Sequence, residues 1–312
     1  MSAGPGRACP LSYRYAPGVF AQAPALRADT LWIAGGLYGN RFALDALLQA
    51  FDAEHGAKAL VFNGDFHWFD AEPEEFACID EGVARFGALR GNVETEIASP
   101  AEGAGCGCGY PEWVGDATVE HSNRIMLRLR AAALASGRDL DRLAALPMTL
   151  VAEVGGERVG IVHGDARSLA GWDFSQETLA TPAGASGAQR ALEEAGVRVF
   201  ASSHTCLPVL HGFPGGRALV NNGAAGMPNF RGERYGLATR IALRPGGRAL
   251  YGMRCGPLHV EAVPIRYDAS AWDRRFLELW PAGSDAHQSY AARIADGPDY
   301  GREAAAPARA SA

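Results

Sequence analysis

The chain has no excess of basic residues, no long apolar run and no framework of regularly spaced cysteines. Its 29 Lys and Arg are outnumbered by 35 Asp and Glu, giving a formal net charge of −6. A broad nucleic-acid or membrane-surface face needs positive potential, so both partner classes are disfavoured. No stretch approaches the ~20 apolar residues of a bilayer-spanning helix. Met1 to Phe20 carries Gly, Pro, Arg and Tyr where a signal peptide has an apolar core. The expectation is a cytoplasmic protein. Six cysteines (Cys9, Cys78, Cys106, Cys108, Cys206, Cys255) lack disulfide-scaffold spacing, as suits a reducing compartment. Only Cys106-Gly107-Cys108 stands out.

What is present is an ordinary globular composition in 312 residues, enough for one large α/β domain. Residues 1–28 are rich in Pro, Gly and Ala and read as an extended arm. Residues 29–267 read as the main domain, and 268–312 as a helical extension with an Ala-rich, frayed tail from Glu303. Leu31-Trp32-Ile33-Ala34 is a short apolar run ending at Gly35-Gly36. Leu44, Leu47, Leu48 and Phe51 then recur with helical spacing, and Ala59-Leu60-Val61-Phe62 is another buried-strand pattern before Asn63-Gly64-Asp65. Strand, loop and helix in this order imply βαβ units and a largely parallel sheet.

Further along, the spacing predicts helices over 74–86 and 116–134, with a glycine-rich loop over 99–115 between them. Gly155-Gly156 divides a hairpin. The later half is strand-rich, about ten strands being expected in all. Asp268 caps a final helix whose apolar face is Trp272, Phe276 and Leu279.

Five polar constellations sit just past predicted strands: Gly36-Leu37-Tyr38-Gly39-Asn40, Gly64-Asp65, Gly91-Asn92-Val93-Glu94, His163-Gly164-Asp165 and Ser203-His204-Thr205-Cys206. Ligands of open α/β sheets bind at the carboxyl ends of strands, so these loops can converge. Their Asp, Asn and His side chains offer the oxygen and nitrogen donors that suit Mn, Fe or Zn. Asp65, Asn92, His163 and His204 are therefore the candidate metal ligands.

The order and spacing of these blocks resemble the calcineurin-like metallophosphoesterases, whose pattern runs D-x-H, G-D, G-N-H, H-G and G-H-x-H. The likeness spans roughly Leu31 to Gly226. It includes Asn221-Asn222-Gly223-Ala224-Ala225-Gly226, similar to the N-P-G-S-x-G turn of the compact bacterial phosphodiesterase branch. It implies a four-layer α/β/β/α sandwich of two mixed sheets. It also implies two metals sharing the Asp65 carboxylate, one of them held further by Asn92, His163 and His204. The private ligands of the other fall on Gly36, Tyr38 and Cys206, none matching the family pattern, and the G-N-H histidine falls on Val93.

Loss by drift would strike both ligand sets alike. Loss confined to one reads as a one-metal centre that was kept. The resulting expectation is a metal-dependent phosphoester hydrolase with one divalent ion (Mn, Fe or Zn) and a small anionic substrate. The alternatives are a non-catalytic member of the fold that binds a ligand or protein, and a thiol-assisted metalloenzyme with non-phosphatase chemistry; Tyr38, Cys206, Cys106 and Cys108 are the candidates for a remnant or rebuilt second site. His67 and Glu94 are candidate acid–base groups, each with a plain packing or solvent-facing reading beside it. Asn40, Asn222, Asn229 and Arg231 are candidate substrate contacts.

Overall fold

A computed structural model describes residues 4–306. In chain order the strands are β1 (Leu26–Ala28), β2 (Thr30–Ala34), β3 (Lys58–Asn63), β4 (Gly87–Leu89), β5 (Thr149–Val154) and β6 (Glu157–Val162). They continue as β7 (Val199–Ser202), β8 (Pro208–Phe213), β9 (Arg217–Asn222), β10 (Gly236–Ala242), β11 (Tyr251–Cys255) and β12 (Leu258–Ile265). They form two six-stranded mixed sheets, ordered β1-β5-β6-β7-β9-β8 and β11-β12-β10-β2-β3-β4. The β5–β6 hairpin turns at Gly155-Gly156 as the sequence predicts.

Strand alternation explains why the sheets stack. Leu31 and Ile33 of β2 face one way and join Val61, Val159, Ile161, Val199 and Val220 in a core drawn from both sheets. Trp32 and Ala34 face the other way, beneath a helical layer. That layer contains α1 (Arg41–Asp52), α2 (Pro73–Val83), α4 (Asp116–Ala135) and the helices Ala269–Leu279 and Asp285–Asp296, with α3 (Asn92–Ala98) at the rim. The helix Pro182–Ala195 covers the other sheet through Ala188, Ala191 and Leu192. The result is the expected α/β/β/α sandwich.

Each aliphatic side chain buried between the sheets contributes roughly 1.5–3 kcal/mol. A hydrogen bond between the sheets, Asn63 Nδ2 to the Val162 carbonyl (3.1 Å), contributes about 1 kcal/mol. Apolar burial therefore holds the sheets together, and such bonds set their registration.

That registration decides where the loops go. β2, β3 and β4 run parallel, as do β6, β7 and β9. The carboxyl ends of both sets open onto one rim. The arm does not stay extended throughout: it makes two 3₁₀ turns, and β1 then adds to β5 in parallel. Among the described residues no helix is long and apolar enough to cross a membrane. The tail beyond 306 lies outside the described residues.

Candidate metal centre

Asp65 follows β3, Asn92 opens α3 behind β4, His163 follows β6 and His204 follows β7. All four are buried. One donor atom each from Asp65, His163 and His204 lies within 4.8 Å of the others. His163 Nε2 stands 3.3 Å from Asp65 Oδ1, 3.2 Å from Asn92 Oδ1 and 3.1 Å from His204 Nδ1.

The outward bonds of these side chains assign their inward atoms. His163 Nδ1 donates to the Asn63 carbonyl (2.9 Å) and His204 Nε2 to the Cys108 carbonyl (2.9 Å). A carbonyl only accepts, so each ring in its neutral form turns an unprotonated nitrogen inward. Asn92 Nδ2 donates to the Cys106 carbonyl (3.0 Å), which turns Oδ1 inward. Asp65 Oδ1 adds a carboxylate oxygen, held by the Val93 amide (3.2 Å). Four acceptors thus face one another. A proton on one ring satisfies one contact at a time, whereas a divalent ion satisfies all four. The donor set fits such an ion.

Electrostatics agree for Asp65 and His204, while His163 is drawn toward its protonated form. Burial works against ionising Asp65, but the His163 and His204 imidazoles and the Val93 amide outweigh it and hold the carboxyl below its ordinary range. Burial and the nearby His163 push His204 down to about 3, so that ring is neutral. Burial opposes charge on His163 too, yet the Asp65 carboxylate raises it.

The other side of Asp65 is filled. Gly36 takes φ +62°, and a Cβ built there would meet the Tyr38 ring at 2.8 Å. The tyrosine occupies the space that a carboxylate at position 36 would need. Tyr38 Oη contacts Cys206 Sγ at 2.8 Å, and that thiol donates to the His204 carbonyl at 3.3 Å. Burial, with Asp65 nearby, raises both the phenol and the thiol, so the pair is neutral. Among the described residues, the non-glycine residues with positive φ are Tyr38 (54°), Asp65 (51°) and Cys206 (62°). Such conformations cost about 1–3 kcal/mol each, and here all three lie in this cleft.

Several expected site residues stand elsewhere. His67 is fully buried, bonded to Asp70 (2.5 Å) and stacked on Phe76 at 3.9 Å, and it does not line the cavity. Glu94 also points away: its carboxylate accepts the amides of Asp65, Phe66, His67 and Gly91. It shapes the loop that carries Asp65. Burial, then the Asp65 charge, raises its pKa.

The expected substrate contacts are likewise engaged with other parts of the chain. Asn40 caps α1 and donates to the Gly226 carbonyl. Asn222 pins Gly35 to β10, and Asn229 ties Ala224 to Met227. Arg231 is exposed and pairs with Asp299. Cys106 and Cys108 are joined in a disulfide, so their sulfurs are not the thiolate ligands of a rebuilt second site.

The sequence reading passed over the aromatic residues that wall the cavity, Trp68, Tyr110, Trp172 and Tyr290 beside Tyr38 and Val93. The cavity is about 40 Å³, room for a few water molecules at most. These aromatics come from loops and helices far apart in the chain and leave no local signal. Glu94 did leave one, since it lies three residues after Gly91, where capping side chains reach back.

No protein-family model matches the chain, and no curated protein matches it in sequence. Solved structures do match. The chain is similar to the hypothetical protein PH1004 from Pyrococcus horikoshii OT3 (16% identity, TM-score 0.58, covering 87% of this chain and 99% of that one). It is also similar to a metallophosphoesterase from Sphaerobacter thermophilus (17% identity, TM-score 0.53, covering 87% and 100%). The chain has the calcineurin-like metallophosphoesterase fold, with a candidate Asp/His metal site at its rim.

Proposed function

We propose that the chain is a metal-dependent hydrolase of the metallophosphoesterase type, working with one divalent ion on a small phosphoester. The observation that carries this is the inward convergence of Asp65 Oδ1, Asn92 Oδ1, His163 Nε2 and His204 Nδ1, each fixed by an outward or flanking hydrogen bond. One carboxylate and three neutral donors leave a net charge of about +1 on a bound Mn, Fe or Zn ion, which attracts an anion. When bound, the ion supplies Lewis acidity and lowers the pKa of a coordinated water.

The chain's own residues set the limits of that chemistry. Val93 stands where the family pattern has a histidine and cannot protonate a leaving group. Tyr38 and Cys206 are neutral and engaged with each other, so neither offers a ligand to a second metal ion; the cation beside them is Arg293, which is bonded to the Cys206 and Pro228 carbonyls. A good leaving group is therefore required.

The cavity volume favours a second reading, a non-catalytic member of the fold that binds an anion or a protein through this rim. A phosphodiester does not fit 40 Å³ unless the surrounding loops shift. The two readings divide on bis-p-nitrophenyl phosphate with added Mn, Fe or Zn. Metal-dependent hydrolysis, lost in both Asp65→Ala and His163→Ala, supports the hydrolase. One bound equivalent without turnover supports the binding protein, and turnover indifferent to both substitutions would sink the site.

A further inference from the structure

We propose that Cys106 and Cys108 are a reversible dithiol–disulfide pair whose state sets the metal centre's affinity for its ion; this rests on the single-ion reading above. Their Cα atoms are 5.4 Å apart, inside the range that a disulfide spans. They belong to the segment between Ser99 and Gly115, which contains no helix or strand and has Gly103, Gly105, Gly107 and Gly109 at positive φ.

The coupling lies in which ligands this loop orients. Asp65 takes its bond from the Val93 amide in α3, and His163 gives its own to Asn63 at the end of β3. Both partners belong to regular structure. Asn92 and His204 instead donate outward to the carbonyls of the two cross-linked residues, Cys106 (3.0 Å) and Cys108 (2.9 Å). Trp172 Nε1 also donates to the Cys108 carbonyl (3.2 Å). Half of the ligand set is thus aimed by a loop that the disulfide closes.

Gly107 shows how tightly that loop is seated. It takes φ +68°, and a Cβ there would meet Tyr13 Oη at 2.3 Å and Asn92 Cβ at 3.3 Å. Opening the cross-link returns backbone freedom to a segment whose glycines gain the most from it. The carbonyls of residues 106 and 108 are the first groups released. Outer partners of this kind change metal affinity by about 10–100-fold when lost.

The redox step balances with a small-molecule disulfide, RSSR, as oxidant. Cys108 borders the cavity, whereas Cys106 is fully buried behind it, so Cys108 meets the reagent first. Its thiolate attacks one sulfur of RSSR, breaking that S–S bond and releasing RS⁻, which takes up the thiol proton as RSH. Cys106 then displaces the second RS group from the mixed disulfide. Two electrons and two protons leave the pair, and RSSR becomes two RSH. An excess of a small thiol reverses both steps.

The test uses the full chain, cycled between 2-hydroxyethyl disulfide and 2-mercaptoethanol, with reagents removed before each metal titration. Peptide mass mapping should place a bond between Cys106 and Cys108 in the oxidised form only. Co²⁺ or Zn²⁺ should bind about 10–100-fold more weakly to the reduced chain, and full affinity should return on reoxidation. Cys108→Ser, which keeps only the buried Cys106 thiol, should bind like the reduced form and gain no affinity from the oxidant. Equal affinity in both states would overturn the proposal, as would thiols that never pair. Tighter binding on reduction, with a sulfur-to-cobalt charge-transfer band, would also overturn it by making Cys108 a ligand. Failure to bind any ion in either state would instead sink the single-ion reading and the coupling with it, and the peptide map keeps that failure distinct.

Discussion

Two halves of one cleft meet at Asp65 and are built on opposite principles. On one side Asn92, His163 and His204 turn acceptors inward and give their donors to backbone carbonyls. On the other, Tyr38 and Cys206 turn toward each other and satisfy their polar atoms without help from an ion. The first half is an unresolved repulsion that a cation relieves, and the second is a closed account in neutral groups. Strained backbone falls on Tyr38 and Cys206 of the second half and on Asp65, which the two halves share. Strain alone therefore does not identify the working half; the direction of the hydrogen bonds does.

The sharpest way to break this comparison uses two residues on the same loop. His204→Ala removes an inward nitrogen and should weaken metal binding by about 100-fold or more, given that even outer partners cost 10–100-fold. Cys206→Ala, two positions on, should leave one equivalent bound with affinity changed by less than about threefold. Elemental analysis after dialysis, followed by calorimetric titration, reads both. Comparable losses in the two variants would mean that Cys206 is a ligand and the cleft has only one kind of half.

A second experiment tries to reopen the filled side. Gly36→Asp places a Cβ against the Tyr38 ring, at 2.8 Å from Cε2. It should destabilise the fold by about 1–3 kcal/mol as overpacking, beside a separate cost of about 1–2 kcal/mol for a side chain at φ +62° that no change at Tyr38 relieves. Tyr38→His removes the obstructing phenol, so the double variant should recover the overpacking part of the cost, with a coupling of about 0.5–3 kcal/mol in a denaturation cycle. Additive effects would mean that the ring is not what excludes a side chain at position 36.

The converging half was legible in the chain because its residues stand just past strands, three of the four flagged by a neighbouring glycine, in Gly64-Asp65, Gly91-Asn92 and His163-Gly164, with His204 between Ser203 and Thr205 the exception. The sheets were legible for a related reason, since buried strands read as short apolar runs between such turns. Partners set by tertiary approach were not legible. Glu94 binds amides of the β3 loop as well as its own helix start. Asn40, Asn222 and Asn229 have the composition of a binding surface but spend their side-chain hydrogen bonds on backbone. The helix Pro182–Ala195 carries Ala and Gly where an apolar stripe is expected, and its burial against Leu219 and Phe200 is a property of the neighbouring sheet. Cys106 and Cys108 are too close in sequence for spacing to announce a bridge.

The smallest effect tests whether the filled half is a satisfied pair or merely occupied space. Tyr38→Phe keeps the ring that blocks position 36 and deletes only the hydroxyl facing Cys206 Sγ. The thiol still donates to the His204 carbonyl, so no charged group is stranded. The loss should be about 1 kcal/mol, the worth of one buried hydrogen bond. In a protein of this size that is a midpoint shift of a few degrees at most. Metal stoichiometry should stay at one, because Phe fills the same volume. A second equivalent appearing in Tyr38→Phe would show that the hydroxyl, and not the ring, had kept an ion out, and the two halves would then differ by a single proton donor rather than by packing.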